Sequence, residues 1–448
     1  MSAIITSPSL ASVNIGILGL GVVGSSTVNI LKENYDELLR RTGYDIVIKK
    51  AAVRNLEKSR ICSIEGITLT DNVYDVIQDP EIDIIIELIG GIELSKEYVL
   101  EAISQGKHIV TANKALIATH GDKIFSYAHD QNVIVAFEAA VAGGIPIIKI
   151  LREGLVGNKI KSIVGILNGT GNFILTKMQN EGVAFINALG DAQRLGYAEA
   201  DPTADIEGID TAQKLSILSS IAFGTSLRYA DVYIEGISHI KHIDLLCAKN
   251  LGYTIKHLAY AERNDINIEL RVYPALIANT HALAKIDGVT NGVLINANAV
   301  GRTVYYGDGA GGLPTASAVI ADLIDVIRTT AVHPKNRVPS LSFQPASLIN
   351  YTVNSIEKAI FSYYLRFLIT DPANAITTNI NIIAAKYGIK LFESKNMSNL
   401  IDTDNLSTVV ITDKTTERLM NLFILELQNN YNFTDDNIIK LRICDHGC

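Results

Sequence analysis

Through the first third of the chain, short apolar runs alternate with stretches in which apolar residues recur every three or four positions. Val13–Leu18, Ile46–Val53, Ile82–Leu88, His108–Thr111 and Val133–Phe137 read as strands, and the first helical stretch runs to about Arg41. Strands that are apolar throughout, rather than alternating, are covered on both faces. The pattern therefore predicts a parallel sheet wrapped by helices. From Ile145 to Val332 the rhythm changes. Helical stretches at Ile174–Asn180, Ile186–Leu195 and Asp210–Ala222 lead into longer strand-like runs at Ile255–Glu262, Ile268–Tyr273 and near Gly292–Asn298. A 3.6-period stretch over Thr315–Arg328 closes this part, a second, α+β domain whose end helices are placed to return to the first.

His333–Pro345 carries three of the ten prolines, a linker signal. Beyond it come a strand (Phe361–Thr370), a helix (Ala375–Tyr387), two strands (Ile389–Lys395, Thr408–Thr412), a helix (Thr415–Gln428) and a strand (Ile438–Cys444). That order, βαββαβ, is a split-βαβ module. The expected organisation is α/β in three parts: a Rossmann-type parallel-sheet domain over 1–144, an α+β domain over 145–345, and a small module over 346–448.

Composition narrows the class. With 48% hydrophobic and 19% charged residues, the 448-residue chain has ample material for several cores. A net charge of −8 argues against nucleic acid or an anionic membrane as partner. The most apolar long stretch, Val133–Leu151, is interrupted by Glu138, Gly143, Gly144, Pro146 and Lys149, so it reads as two buried elements. Met1–Ser12 has no basic residue and resembles neither a secretory signal nor a transit peptide. Four cysteines make no disulfide framework. A cytoplasmic protein is expected.

Gly19-Leu20-Gly21-Val22-Val23-Gly24 follows an apolar strand and opens a helix, the context in which glycines let a pyrophosphate approach backbone amides. The second strand ends Ala51-Ala52-Val53-Arg54-Asn55. No carboxylate stands ready for a ribose 2′-hydroxyl, and Arg54 is placed for a 2′-phosphate, so NADP(H) is expected over NAD(H). Lys114, just past the fourth strand, lies at the carboxyl edge where open sheets bind ligands; a solvated loop lysine is the plainer alternative.

Five carboxylates fall between Glu199 and Asp210. They repel one another unless a cation sits among them. Asp210 and Lys214 are four apart on a helix and share a face. The helix continues as apolar Leu215–Ile221, which argues against an ordinary exposed pair; a divalent metal is the rival explanation. No cysteine falls in a loop suited to face a nicotinamide. An acyl-enzyme route is therefore disfavoured relative to direct alcohol–carbonyl interconversion.

These residues resemble the homoserine dehydrogenase family from Val13 to Cys444. The motifs are Gly19–Gly24, Thr111-Ala112-Asn113-Lys114, Glu138–Pro146, Ile166-Leu167-Asn168-Gly169-Thr170-Gly171-Asn172, the run Leu195–Lys214, Gly307–Gly311 and Pro314–Ala318. The resemblance implies NAD(P)-dependent interconversion of L-aspartate 4-semialdehyde and L-homoserine, on the route to threonine, methionine and isoleucine, in the monofunctional form. It implies Glu199, Asp205 and Asp210 as substrate-binding, Lys214 as proton donor, and Lys114 beside substrate and nicotinamide. Ile89, Thr111 and Gly309 join the cofactor set. Glu138, Val141, Gly143 and Ile145 match a monovalent-cation site for Na⁺ or K⁺. The last module is similar to an ACT domain, a sensor of amino-acid effectors. It departs from that pattern at Asp371-Pro372-Ala373-Asn374, where Asp-x-Pro-Gly is usual, which puts threonine feedback in doubt. A homodimer or homotetramer is expected. Two rivals stand beside this reading: another NADP-linked oxidoreductase of the same plan, and a non-catalytic amino-acid sensor.

Overall fold

The computed structural model describes residues 11–369, 375–396, 406–431, 434 and 437–444. It divides into two compact units, each assembled from separate stretches of chain.

The first unit gathers the chain up to Gly157 with Ser216–Tyr229 and Gly307–Asn350. Its sheet comprises β1 (Ser12–Leu18), β2 (Asp45–Ala52), β3 (Thr68–Thr70), β4 (Ile84–Glu87), β5 (His108–Thr111) and β6 (Val135–Ala136), in the order β3-β2-β1-β4-β5-β6. Every pairing is parallel. This is the doubly wound dinucleotide order, and its direction reverses between β1 and β4, where ligands bind beyond the strand ends. Helices cover both faces, as the unbroken apolar runs require. On one face Val28 and Leu31 pack with Val319, Leu323 and Ile327 from the helix Gly312–Thr330 over Ile15 and Ile17. On the other, Val99, Ile103, Leu116 and Ile124 pack over Leu18 and Ile85.

The second unit holds one mixed sheet. Its strands are β7 (Ile160–Ile166), β8 (Tyr233–Ile234), β9 (Tyr253–Arg263), β10 (Asn267–Ala278), β11 (Thr290–Ala297), β12 (Gly301–Asp308), β13 (Thr352–Val353), β14 (Ile360–Ile369), β15 (Leu391–Asn396), β16 (Leu406–Thr412), β17 (Thr415–Thr416) and β18 (Ile438–Cys444). The main path is β12-β11-β7-β9-β10-β18-β14-β16-β15. In its last four strands β14 lies between β18 and β16, antiparallel to both, the arrangement expected of βαββαβ. Alternation along β14 supplies both faces. Tyr363, Leu365 and Phe367 pack with Met420, Phe423 and Leu427 of the helix Glu417–Tyr431, while Tyr364 packs with Ile174, Met178 and Leu245. A fully buried ion pair, Arg366 to Asp244 at 2.6 Å, ties β14 to the helix His242–Asn250.

The helix Gly312–Thr330 packs in the first core, and β18 joins β10 in parallel, Ala275 opposite Arg442, so the last module extends the second sheet. The proline-rich segment is no free linker. Arg337 donates to the Asn132 carbonyl at 2.8 Å, binding it to the first unit. This segment and β6 line a cavity of about 820 Å³. None of the candidate site residues read from the sequence lines it. Asp371–Asn374 and the residues after Cys444 lie outside the described residues. Among the described residues, no helix is long and apolar enough to cross a membrane.

Candidate active site

In the first unit the glycine turn meets each requirement of its motif by a different contact. Gly19 has φ +100°, and a Cβ there would lie 2.8 Å from the Leu88 carbonyl oxygen. A Cβ on Gly24 would collide with the Gly19 carbonyl, whereas one on Gly21 would meet nothing within 4 Å. Two glycines thus serve chain packing, and the third leaves open space over the helix Val22–Glu33. That helix has no side-chain cap at Gly21, so its first amides face outward, where the helix dipole favours a phosphate. Leu20 turns its side chain into the core, so only its backbone borders the turn; Val22 is exposed.

At the neighbouring strand end the organiser is Glu87, which sequence reasoning missed. It is fully buried at the tip of β4. Its carboxylate accepts from Ile89 N at 2.9 Å, Gly90 N at 3.2 Å and Thr111 Oγ1 at 2.6 Å. Thr111 therefore spends its hydroxyl on shaping the loop. Its oxygen also accepts from Asn113 N, and Asn113 caps the helix Lys114–Asp130 by accepting from Leu116 N at 3.0 Å. Lys114 is the first residue of that helix, half-buried. An acidic residue ending the run Ile84-Ile85-Ile86 was the available signal. Beyond β2, Arg54 is exposed, whereas Arg60 is spent on the carbonyls of Asn55 and Lys58 at 2.6 and 2.7 Å.

The stretch Glu138–Ile145 folds as a tight turn in which Ala142 (φ 57°) and Gly143 (φ 50°) are successive left-handed residues. A Cβ on Gly143 would lie 2.7 Å from Gly309, and Gly144 N donates to the Asp308 carbonyl at 2.9 Å. Gly309 thus serves close packing against this turn. The Glu138 carboxylate points away from the turn and accepts from Ile148 N and Lys149 N, both at 2.8 Å. Burial pushes it up to about 7 despite those bonds. Its own amide donates to Asp322 Oδ2 at 2.7 Å.

In the second unit the acidic run resolves into separate roles. Asp201 accepts from Thr203 N and Oγ1 at 3.1 and 2.6 Å, just before the short helix Thr203–Ile206. Glu199 is exposed on its loop. Asp205 and Asp210 are brought together by one side chain, Asn168: its Nδ2 donates to Asp205 at 2.7 Å and to Asp210 at 2.9 Å. The Asn168 oxygen accepts from Gly171 N at 2.7 Å, capping the helix that follows β7. Lys214 sits 2.8 Å from Asp210 and donates to the Leu167 carbonyl at 2.7 Å, with only 8% of its surface exposed. The cation that five carboxylates demand is therefore a lysine of the same helix. Among the described residues no group of three or more His, Cys, Asp or Glu is arranged to hold a metal. Cys62 and Cys247 are buried free thiols, and Cys247 lies in the second core, so neither offers a nucleophile. Asn168 stands in a motif that carried the resemblance, but without a role; only its two long-range bonds reveal one.

A dinucleotide-type sheet and a buried Asp–Lys pair in one chain are the parts of a nicotinamide-dependent oxidoreductase. Residues 19–138 match the family model described as homoserine dehydrogenase, NAD binding domain, and residues 146–324 match that of homoserine dehydrogenase. A homoserine dehydrogenase of Pseudomonas aeruginosa is 47% identical over 93% of this chain and 95% of its own. The crystal structure of a homoserine dehydrogenase from Thiobacillus denitrificans superposes with a TM-score of 0.89 at 46% identity, covering 97% of this chain and 98% of that one. A hyperthermophilic archaeal homoserine dehydrogenase in complex with NADPH superposes at 0.59 with 26% identity, over 71% of this chain and 98% of that one. The chain belongs to the homoserine dehydrogenase family, NAD(P)-dependent oxidoreductases that interconvert L-aspartate 4-semialdehyde and L-homoserine.

Proposed function

We propose that Lys214 is the proton donor in the reduction of L-aspartate 4-semialdehyde to L-homoserine, with Lys114 beside the substrate and the nicotinamide. The observation that carries this is the hydrogen-bonding of Lys214. Two of its three N–H groups are committed to Asp210 and the Leu167 carbonyl, which fixes the ammonium and leaves one donor for substrate. When bound, the reduced nicotinamide supplies a hydride to the aldehyde carbon. As the carbonyl oxygen gains negative charge, Lys214 stabilises it and delivers the proton; general acid catalysis of this kind contributes about 10²- to 10⁴-fold. Asp210 holds the lysine in place. Glu199, Asp205 and Asp210 together present negative charge to the substrate's ammonium, and this is why so many carboxylates share one loop.

NADP(H) is the preferred cofactor on this reading, because Arg54 is exposed beyond β2 with no carboxylate at the strand end, and NAD(H) is the poorer one. The backbone of Glu138, Val141, Gly143 and Ile145 is assigned to Na⁺ or K⁺. That assignment rests on the family resemblance of Glu138–Pro146, which the structure folds as a tight turn with Ala142 and Gly143 both left-handed. In this role the ion is structural. A cytoplasmic homodimer or homotetramer with no nucleic-acid or membrane partner completes the proposal, with an amino-acid effector assigned to the C-terminal module. The non-catalytic sensor reading is not favoured. The test is consumption of NADPH, and separately of NADH, with L-aspartate 4-semialdehyde as sole substrate and K⁺ or Na⁺ supplied. Oxidation dependent on the aldehyde and faster with NADPH is expected; none with either cofactor would sink the assignment.

A further inference from the structure

The C-terminal module places its most buried charge against the chain that borders the acidic loop. Arg442, on β18, is 0% exposed. Its guanidinium binds Glu417 through Nε at 2.9 Å and Nη2 at 2.7 Å, and Glu235 through Nη1 at 2.6 Å. It also donates to Tyr233 Oη at 3.0 Å, and that hydroxyl donates to Glu235 at 2.7 Å. The rings of Tyr233, Tyr273 and Phe361 lie 5.2–5.7 Å from the guanidinium carbon. Such a network tolerates little movement, because Arg442 and Glu417 are buried, Glu235 is only 20% exposed, and every partner is already engaged.

Glu235 is the point where this network leaves the module. Its amide donates to the Val272 carbonyl at 2.8 Å, and its own carbonyl contacts His257 Nε2 at 2.9 Å. The next residue, Gly236, lies so close to Glu207 that a Cβ would fall 2.8 Å from the Glu207 Cα. Ile237 N then donates to the Ile206 carbonyl at 2.9 Å. Glu207 and Ile206 separate Asp205 from Asp210, the two carboxylates bridged by Asn168.

We infer that Glu235, clamped by Arg442 of the C-terminal module, is a positioning residue for the Asp205–Asp210 loop, so that the module sets the fit of the substrate's ammonium. This rests on the assignment of that loop to substrate. It gives the module a mechanical route to the site through three consecutive residues, Glu235 to Ile237. A shift of β18 relative to β10 moves Glu235, and the loop follows because Gly236 and Ile237 leave it no slack.

Glu235→Gln removes the charge while keeping the shape and a hydrogen-bonding oxygen, and Arg442 retains Glu417, so the fold is expected to hold. KM for aspartate 4-semialdehyde should rise about ten-fold, as a charge-assisted hydrogen bond becomes a neutral one, with kcat and the KM for NADPH within about two-fold of wild type. A lowered melting temperature with unchanged KM would mean a structural role only and overturn the proposal. Hydrogen exchange on the wild-type enzyme gives an independent reading. Saturating L-homoserine should slow exchange at 199–214 and also at 235–237 and along β18. Protection that stops at 199–214 overturns the coupling alone. No protection at 199–214 overturns the substrate assignment, and the proposal with it.

Discussion

Lys214→Met separates catalysis from folding, because the two roles of that lysine have different remedies. In the wild type its ammonium neutralises Asp210 at 2.8 Å, with side chains only 10% and 7% exposed. Methionine matches the stem but leaves a buried carboxylate without its cation, which costs about 3–5 kcal/mol. Asn168 still donates to Asp210, so the lower end, about 3 kcal/mol, is expected. Turnover should fall by about 10²- to 10⁴-fold, the contribution of a positioned general acid. The KM for NADPH should stay near wild type, since the glycine turn is untouched. Adding Asp210→Asn removes the stranded charge, and the double variant should regain about 2–3 kcal/mol of that stability while its turnover stays low. Urea unfolding measures the first quantity and loss of NADPH absorbance the second. If turnover barely changes in Lys214→Met, or returns with stability in the double variant, Lys214 is a structural ion-pair partner and the proton comes from elsewhere.

The glycine turn gives a paired prediction. Gly21→Ala should leave stability within about 0.5 kcal/mol but weaken NADPH binding, because its Cβ would enter the open space over the helix N-terminus. Gly24→Ala should destabilise the first unit itself through collision with the Gly19 carbonyl, seen as a lowered melting temperature without any cofactor present. Arg54→Ala should narrow the preference for NADPH over NADH by about ten-fold or more, the worth of one charge-assisted contact; an unchanged ratio of the two KM values would place the 2′-phosphate elsewhere. His108 is driven by burial, with Arg337 adding repulsion, from 6.5 down to about 4. Its native form stays neutral while the unfolded chain takes up a proton below pH 6.5. Stability should therefore fall as pH drops from 6.5 to 4, by about 3 kcal/mol from this residue. His108→Gln should flatten that part of the urea-derived stability curve, and parallel curves would refute it.

What the amino-acid order determined by itself was local. Unbroken apolar runs gave the parallel sheet, because strand burial is written in consecutive residues. Gly19–Gly24 is contiguous, so its turn was legible, and Asp210 and Lys214 meet because one helical turn separates them. Even the βαββαβ order could be read from alternating periods. Tertiary structure decided the rest, and each case turns on partners far apart in sequence. Glu87 reads as the tail of an apolar strand until the fold brings Thr111, 24 residues on, to donate to it. Asn168 lies 37 and 42 residues from the two carboxylates it joins. Arg442 reaches Glu235 across 207 residues, only because β18 docks beside β10. The docking of β18 beside β10 has the same origin, since the apolar pattern of β18 says which residues are buried but not against what. Periodicity reports burial along one element. Charge pairing in the interior depends on which elements the folded sheet brings within a few ångströms, and no local pattern encodes that.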